Sequence, residues 1–271
     1  MTVVRDPLAA RFHAWRAARR RALIPYLTAG YPSPQHTPGL LDALVRAGAD
    51  IIELGVPFSD PVADGPTIQR SSQRAIEHGV SLQWTLAALR AFRDRHDTAV
   101  VLFTYLNPVL RYGVDRLLED ALDAGARGLL VTDLPVGSDP ELEARLEESG
   151  LAHIRLVAPT TPLPRAARIA RSAQGFLYYI SRTGVTGATQ RLRESLGAEV
   201  DALRRVSPVP VAVGFGISSP DQAAAVAAVA DGVVVGSALI DAIDRGGVAE
   251  AERFIASLRA GIDGAARTAS L

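Results

Sequence analysis

"ADIIELGVPFSDPVADGP", residues 49–66, begins as a buried strand and ends as a stiff acidic loop. The apolar pair Ile51-Ile52 runs straight into a carboxylate, Glu53. Beyond it come Asp60 and Asp64, the prolines Pro57, Pro61 and Pro66, and the glycines Gly55 and Gly65. Proline fixes φ and glycine opens conformations closed to other residues, so the loop has a built shape. The apolar run lacks polar alternation, which is the pattern of a parallel strand covered on both faces.

The same unit recurs along the chain. With it, the apolar runs occupy 22–30, 50–55, 99–106, 128–134, 153–159, 175–181, 209–216 and 231–237. Segments with helical spacing lie between and after them, at 37–48, 82–95, 114–124, 140–149, 164–173, 193–205, 220–229 and 247–261. Asp139-Pro140 and Ser219-Pro220 read as N-cap and first helical residue, and Gly125 and Gly150 as C-terminal stops. Eight strands, each followed by a helix, in 271 residues match the ~250 residues of a (β/α)₈ barrel. The expected fold class is α/β, one TIM-barrel domain over 1–271. An extra amphipathic helix is expected at about 7–20, with Leu8, Phe12 and Trp15 on one face. The tail at about 264–271 is expected to fray. A doubly wound sheet would use fewer strands, or a second domain after a linker, and no linker is visible.

Composition removes whole classes of chemistry. Net charge is +0 and the isoelectric point is about 7.0, which speaks against a nucleic-acid partner. The chain has no cysteine, so disulfides, thiol nucleophiles and thiolate metal sites are excluded. It also has no lysine; every basic residue except histidine is arginine. Arginine cannot form an imine, so neither covalent pyridoxal phosphate nor lysine-imine carbon–carbon cleavage is open to this chain. The five histidines show no metal-ligand spacing. No apolar run approaches the ~20 residues of a membrane span, and the first residues lack the apolar core of a signal peptide. The expectation is a cytoplasmic enzyme or binding protein.

In a barrel, the C-terminal ends of the strands and the loops after them form the active face. That face collects Tyr26 and Thr28, then Glu53, Asp60 and Asp64, then Tyr105, Asn107 and Asp133. It also collects Tyr178, the "GFG" turn of Gly214, Phe215 and Gly216, and the Gly236-Ser237 turn. Glycine turns after strands seven and eight expose backbone N–H groups where barrels bind phosphate. Glu53 closes an apolar strand, so poor hydration should raise its pKa toward the range of proton transfer. Asp64 lies in the loop above and can stay ionised against an N–H or cationic atom. Asp60 reads as a loop cap. Residues 181–190 have the composition of a lid, with Gly184 and Gly187 flanking Val185-Thr186.

"ELGVPFSDPVADGPTIQ" (53–69) resembles the signature of the tryptophan synthase alpha chain family. So, in order, do "PYLTAGYP" (25–32), "YLNPVLRYG" (105–113), "TDLP" (132–135), "SRTGVTG" (181–187), "VAVGFGIS" (211–218) and "GVVVGSALI" (232–240). The resemblance implies a (β/α)₈ barrel that cleaves indole-3-glycerol phosphate to indole and glyceraldehyde 3-phosphate. It implies that Glu53 is the acid–base residue and Asp64 the indole-binding carboxylate. Tyr178 would lie near the substrate's glycerol chain, and Gly187, Gly216, Gly236 and Ser237 in the phosphate site. Thr186 would meet the catalytic aspartate on lid closure. Tyr105 and Phe215 join the substrate-binding set, as does Tyr26, which stands where members often have phenylalanine. The segment "GSDPELEARLEE" departs from the family's acidic "PPEE" pattern and leaves the start of its helix open.

The resemblance also implies a beta-chain partner in an alpha2-beta2 heterotetramer, with pyridoxal phosphate on the partner and no cofactor in this chain. Pro57, Phe58 and Asp60, read as an exposed aromatic and a carboxylate on a rigid segment, are the expected docking edge. Two other readings share these motifs: a free-standing indole-3-glycerol phosphate lyase, and a non-catalytic regulatory barrel.

Overall fold

The protein, represented by a computed structural model, is described at residue 6 and over residues 8–180, 195–214 and 216–268. Eight strands close into a parallel barrel in sequence order. They are β1 (Ala22–Thr28), β2 (Ile51–Gly55), β3 (Ala99–Thr104), β4 (Gly128–Val131), β5 (Ala152–Val157), β6 (Leu177–Ile180), β7 (Val211–Gly214) and β8 (Gly232–Val235). The barrel shuts where β8 pairs with β1, Val234 opposite Ile24. All seven residues of β1 and all five of β2 are buried, as strands with helices outside and side chains inside must be.

Eleven helices accompany the strands among the described residues. They are α1 (Ala9–Ala17), α2 (Thr37–Arg46), α3 (Pro66–Glu77), α4 (Leu82–Arg93), α5 (Leu106–Tyr112), α6 (Val114–Asp123), α7 (Pro140–Glu148), α8 (Leu163–Arg171), α9 (Leu196–Val206), α10 (Pro220–Val229) and α11 (Ser237–Thr268). The caps fall where the sequence puts them. Asp139 accepts from the Leu142 amide at 3.0 Å, which fixes the start of α7 at Pro140. Ser219 accepts from the Gln222 amide at 3.3 Å. Gly125 and Gly150 have φ of 87° and 89°, the left-handed stop that glycine allows.

Four helical stretches depart from the sequence reading. α3 is polar, and its buried side is made of Ile68, Ser71, Ser72 and Ala75, so no apolar stripe announces it. α5 is short and holds Pro108, tolerated because a first-turn residue needs no intrahelical N–H bond. α11 begins at Ser237 and continues through a kink at Gly246-Gly247 to Thr268, past the expected fray point at 264. α1 is shorter than the expected 7–20 because Arg19 turns the chain at a φ of 54°.

Two apolar layers result. Inside the barrel lie Ile24, Ile51, Val101, Leu130, Ile154, Ala212 and Val234. Leu8 and Phe12 close the N-terminal end of this layer from α1, and the Phe12 ring stands 5.8 Å from Phe176. Outside, residues such as Leu23, Leu27, Ile52, Leu54 and Val100 pack against the helices. His153 is buried on β5, and among the described residues neither ring nitrogen has a partner. Burial lowers its pKa to about 3, with the Arg155 charge adding to this, so it packs as a neutral ring.

Asp50 ties the chain's ends to this frame. Its carboxylate accepts from the Leu23 amide (2.9 Å), Arg20 (2.9 Å) and Arg259 of α11 (2.9 Å). Asp50→Ala would strand the Arg259 guanidinium, only 9% exposed, against two remaining acceptors. Because the Asp263 carboxylate, 2.6 Å away, still neutralises Arg259, the cost is that of buried donors left unpaired, about 1–3 kcal/mol, and a loss in that range is expected from urea unfolding. A loss under about 1 kcal/mol would show that the ends are held by apolar packing instead.

Candidate active site

Side chains on a strand alternate, so register decides which ones point into the barrel. Tyr26 lies opposite Glu53, and Glu53 opposite Val101. One step above the sealed interior layer, Tyr26, Glu53, Phe103 and Tyr178 therefore reach the mouth of the barrel. They line a cavity of about 310 Å³ with Asp64, Gly65, Ile68 and the turns after β7 and β8. Two strand-end glycines make room for this layer. A Cβ at Gly55 would overlap the Tyr26 hydroxyl, and one at Gly214 the Tyr178 hydroxyl.

Glu53 is 1% exposed, and its Oε1 has no hydrogen-bond partner among the described residues. An arginine inside the barrel would have neutralised it; no ion pair to Glu53 occurs among them. Desolvation alone pushes its pKa up to about 8. Asp64 behaves differently. Burial raises it too, to about 6, while a hydrogen bond from the Tyr105 hydroxyl pulls the other way. That bond spans 2.9 Å, and the same hydroxyl accepts from the Ala63 amide at 3.2 Å. Between about 6 and about 8 the cavity thus holds one protonated and one ionised carboxylate.

The far end of the cavity is formed by two glycine turns. Gly216, at a φ of 72°, and Ser218 follow β7; Gly236, Ser237 and Ala238 open α11. First-turn amides of a helix have no intrahelical acceptor and point outward with the positive end of the dipole.

Tyr26, Glu53, Asp64, Tyr178, Gly216, Gly236 and Ser237 all line this one cavity. Tyr105 does not line it; it stands behind Asp64 and holds its carboxylate. Thr28 bonds Ser71 at 2.7 Å and Tyr26 at 3.3 Å. Asp133 serves the fold by accepting from the Leu106 amide at 2.6 Å. Phe58 is half-buried rather than exposed: its ring lies 5.2 Å from Tyr105, and Ser72 bonds its amide and carbonyl. Pro57 is buried, and Asp60 is exposed. Thr186, Gly187 and Phe215 lie outside the described residues. Sequence reasoning did not name Phe103, Ile68 or Asp241, which also line the cavity. Phe103 was within reach, since it is two residues beyond the inward Val101; Ile68 and Asp241 sit on helical stretches that the pattern did not reveal.

A sequence model of the tryptophan synthase alpha chain family matches residues 12–265. The chain belongs to that family. The tryptophan synthase alpha chain of Solibacter usitatus is 48% identical over 234 residues, 86% of this chain and 88% of that one. That of Burkholderia multivorans is 46% identical over 263 residues, covering 95% and 97%. Among solved structures, tryptophan synthase subunit alpha from Legionella pneumophila superposes with a TM-score of 0.88 at 37% identity, covering 96% of this chain and 99% of that one. A Mycobacterium tuberculosis tryptophan synthase gives 0.87 at 42% identity, covering 94% and 97%.

In this alpha chain barrel the charge state of Glu53 is coupled to folding. Its folded pKa of about 8 exceeds the ordinary 4.5, so the folded state binds more protons than the unfolded state in between. Stability is therefore full below 4.5 and falls as pH rises to about 8. Glu53→Gln cannot ionise. Its unfolding free energy should gain on wild type across that window, by on the order of a few kcal/mol, and level off above it. A constant difference would mean that Glu53 is not desolvated. Separately, Tyr105→Phe removes the donor to Asp64, so the Asp64 carboxyl carbon should titrate above its original value by NMR.

Proposed function

We propose that the chain cleaves indole-3-glycerol phosphate to indole and glyceraldehyde 3-phosphate, with Glu53 moving both protons and Asp64 holding the indole nitrogen. One observation carries the assignment: a buried glutamate without a counter-charge shares an apolar cavity with a second carboxylate that ionises more readily.

The reaction begins with Glu53 protonated. It gives its proton to indole C3, and the ring becomes the indolenine, positive at nitrogen. Asp64, ionised, accepts the N–H hydrogen bond and stabilises that charge. The Glu53 carboxylate then takes the proton of the side-chain hydroxyl beside the scissile bond. The bond from C3 to the side chain breaks, its electrons return to the ring, and the hydroxyl carbon becomes the aldehyde. Glu53 ends protonated, so no proton is gained or lost overall. Tyr26, Phe103 and Tyr178 supply walls for the indole, and the turns at Gly216 and Gly236-Ser237 take the phosphate through backbone amides. No cofactor in this chain enters any of these steps.

The partner on this reading is a beta chain, two of each forming the assembly, in the cytoplasm. The Pro57–Asp60 segment is the proposed docking edge. Its route to the chemistry is short, because Phe58 packs on Tyr105 and Tyr105 holds Asp64. Thr186 and Gly187, with the rest of the 181–190 segment, remain in the proposal as the closing element, and Phe215 as a wall.

Release of indole by the purified chain tests the assignment. Glu53→Gln should lower turnover by about 10²–10⁴-fold, the typical share of general acid–base catalysis. Asp64→Asn should be severely impaired and Asp60→Asn much less so. Activity should rise with pH through the Asp64 value of about 6 and fall through the Glu53 value of about 8. Near-wild-type turnover by folded Glu53→Gln would remove Glu53 from the mechanism. At Gly236 an added Cβ meets nothing closer than 3.7 Å, so Gly236→Val should fold and yet weaken glycerol phosphate binding by filling the anion end. A cognate beta chain should raise indole release about 5- to 150-fold, the range of ordinary allosteric coupling. Unchanged rates with a bound beta chain would favour a free-standing lyase.

A further inference from the structure

The opposite end of the barrel holds a second cavity, of about 330 Å³, lined by α1, the turn after it and the residues following α9. Its volume is in the range of small-molecule sites. Phe12 and Trp15 form one wall, their rings edge to face at 5.1 Å. Arg16, Arg21 and Arg204 reach it from three separate segments.

Two of these guanidinium groups share one carboxylate. Asp231, nearly buried, accepts from Arg16 at 3.1 Å and from Arg204 at 3.4 Å, both on the same oxygen. Its other oxygen is taken by the Val211 amide at 3.0 Å. Arg21 has no carboxylate partner among the described residues; its Nε donates to the Ala227 carbonyl at 3.2 Å. Arg204 donates similarly to the Val229 carbonyl at 3.3 Å. The C-terminal carbonyls of α10 thus hold these side chains in place and leave donor edges unspent. Arg20, also in the lining, is satisfied by Asp50. The turn that delivers Arg20 and Arg21 requires Arg19 at a φ of 54°, a conformation that costs a non-glycine residue of order 1 kcal/mol.

We propose that this cavity binds a small aromatic anion, its carboxylate or phosphate bridging Arg21 and Arg204 and its ring lying against Trp15. Planar guanidinium forks suit both oxyanions, and the aromatic wall excludes a purely hydrated ion as the best occupant. The site is independent of the substrate cavity, at the other mouth of the barrel.

Trp15 is its own reporter once Trp84→Phe removes the only other tryptophan. In that background, phenyl phosphate should quench Trp15 fluorescence saturably. Arg21→Gln and Arg204→Gln should each weaken this binding by about tenfold, the loss of one charge-assisted contact, whereas Arg21→Lys should retain more of it. Benzyl alcohol should not saturate, and inorganic phosphate should bind more weakly than phenyl phosphate. Arg204 lies on an exposed helix end, so its variant stands as a test even where Arg21→Gln proves unstable. Quenching that is linear, that is equal for the neutral analogue, or that is indifferent to both arginine variants would overturn the proposal. Equal affinity for inorganic phosphate would overturn the aromatic part of it.

Discussion

A carboxylate buried without a counter-charge is the constraint around which this barrel is arranged. Glu53 sits in the middle of β2 with apolar neighbours on both sides, and the free energy of desolvating its ionised form has nothing to offset it. The group answers by keeping its proton. The side chains beside it, Tyr26, Phe103 and Tyr178, are aromatic, and no arginine pairs with it among the described residues. The strand-end glycines at 55 and 214 serve the same end, because without them the tyrosine rings that dry the cavity could not stand where they do.

Asp64 shows how a second carboxylate of similar intrinsic acidity is given a different charge. It comes from a loop rather than a strand, it is only half-buried, and it has a phenolic donor. The difference between the two groups is thus a difference in hydration and in one hydrogen bond. The loop's prolines and glycines matter because that hydrogen bond must persist. Tyr105 is fixed in turn by the Ala63 amide and the Phe58 ring. A surface that touches Phe58 is two contacts from the Asp64 carboxylate.

The two mouths of the barrel solve the placement of charge in opposite ways. At the C-terminal mouth, the turns after β7 and β8 present backbone amides to the cavity. At the N-terminal mouth, arginines crowd around α1 and share few carboxylates. A lysine-free chain has only guanidinium as a permanent cation, and guanidinium prefers planar, multidentate partners. The bottom of the barrel supplies such partners as helix-terminal carbonyls, Asp231 and Asp50.

The sequence by itself determined the architecture, the main chemical candidates and the family. Unbroken apolar runs, Pro-marked helix starts and Gly-marked stops are local signals, and the eight-fold alternation left one economical closure. Glu53 was legible because a carboxylate in an apolar strand is costly unless it has a use, and Asp64 because a stiff loop sets it beside that strand. Helices α3 and α5 were not legible. Their stability comes from burying serines, or from one capping contact with Asp133, and neither leaves a periodic apolar mark. Only the tertiary structure decided that Tyr105 supports Asp64 instead of lining the cavity, that Phe58 is tucked against it, and that Phe103 and Ile68 complete the wall. These depend on strand register and on helices crossing over the barrel mouth, which bring residues far apart in sequence within a few ångströms. Periodicity tells which way a residue faces on its own element; what it faces is set by closure of the barrel.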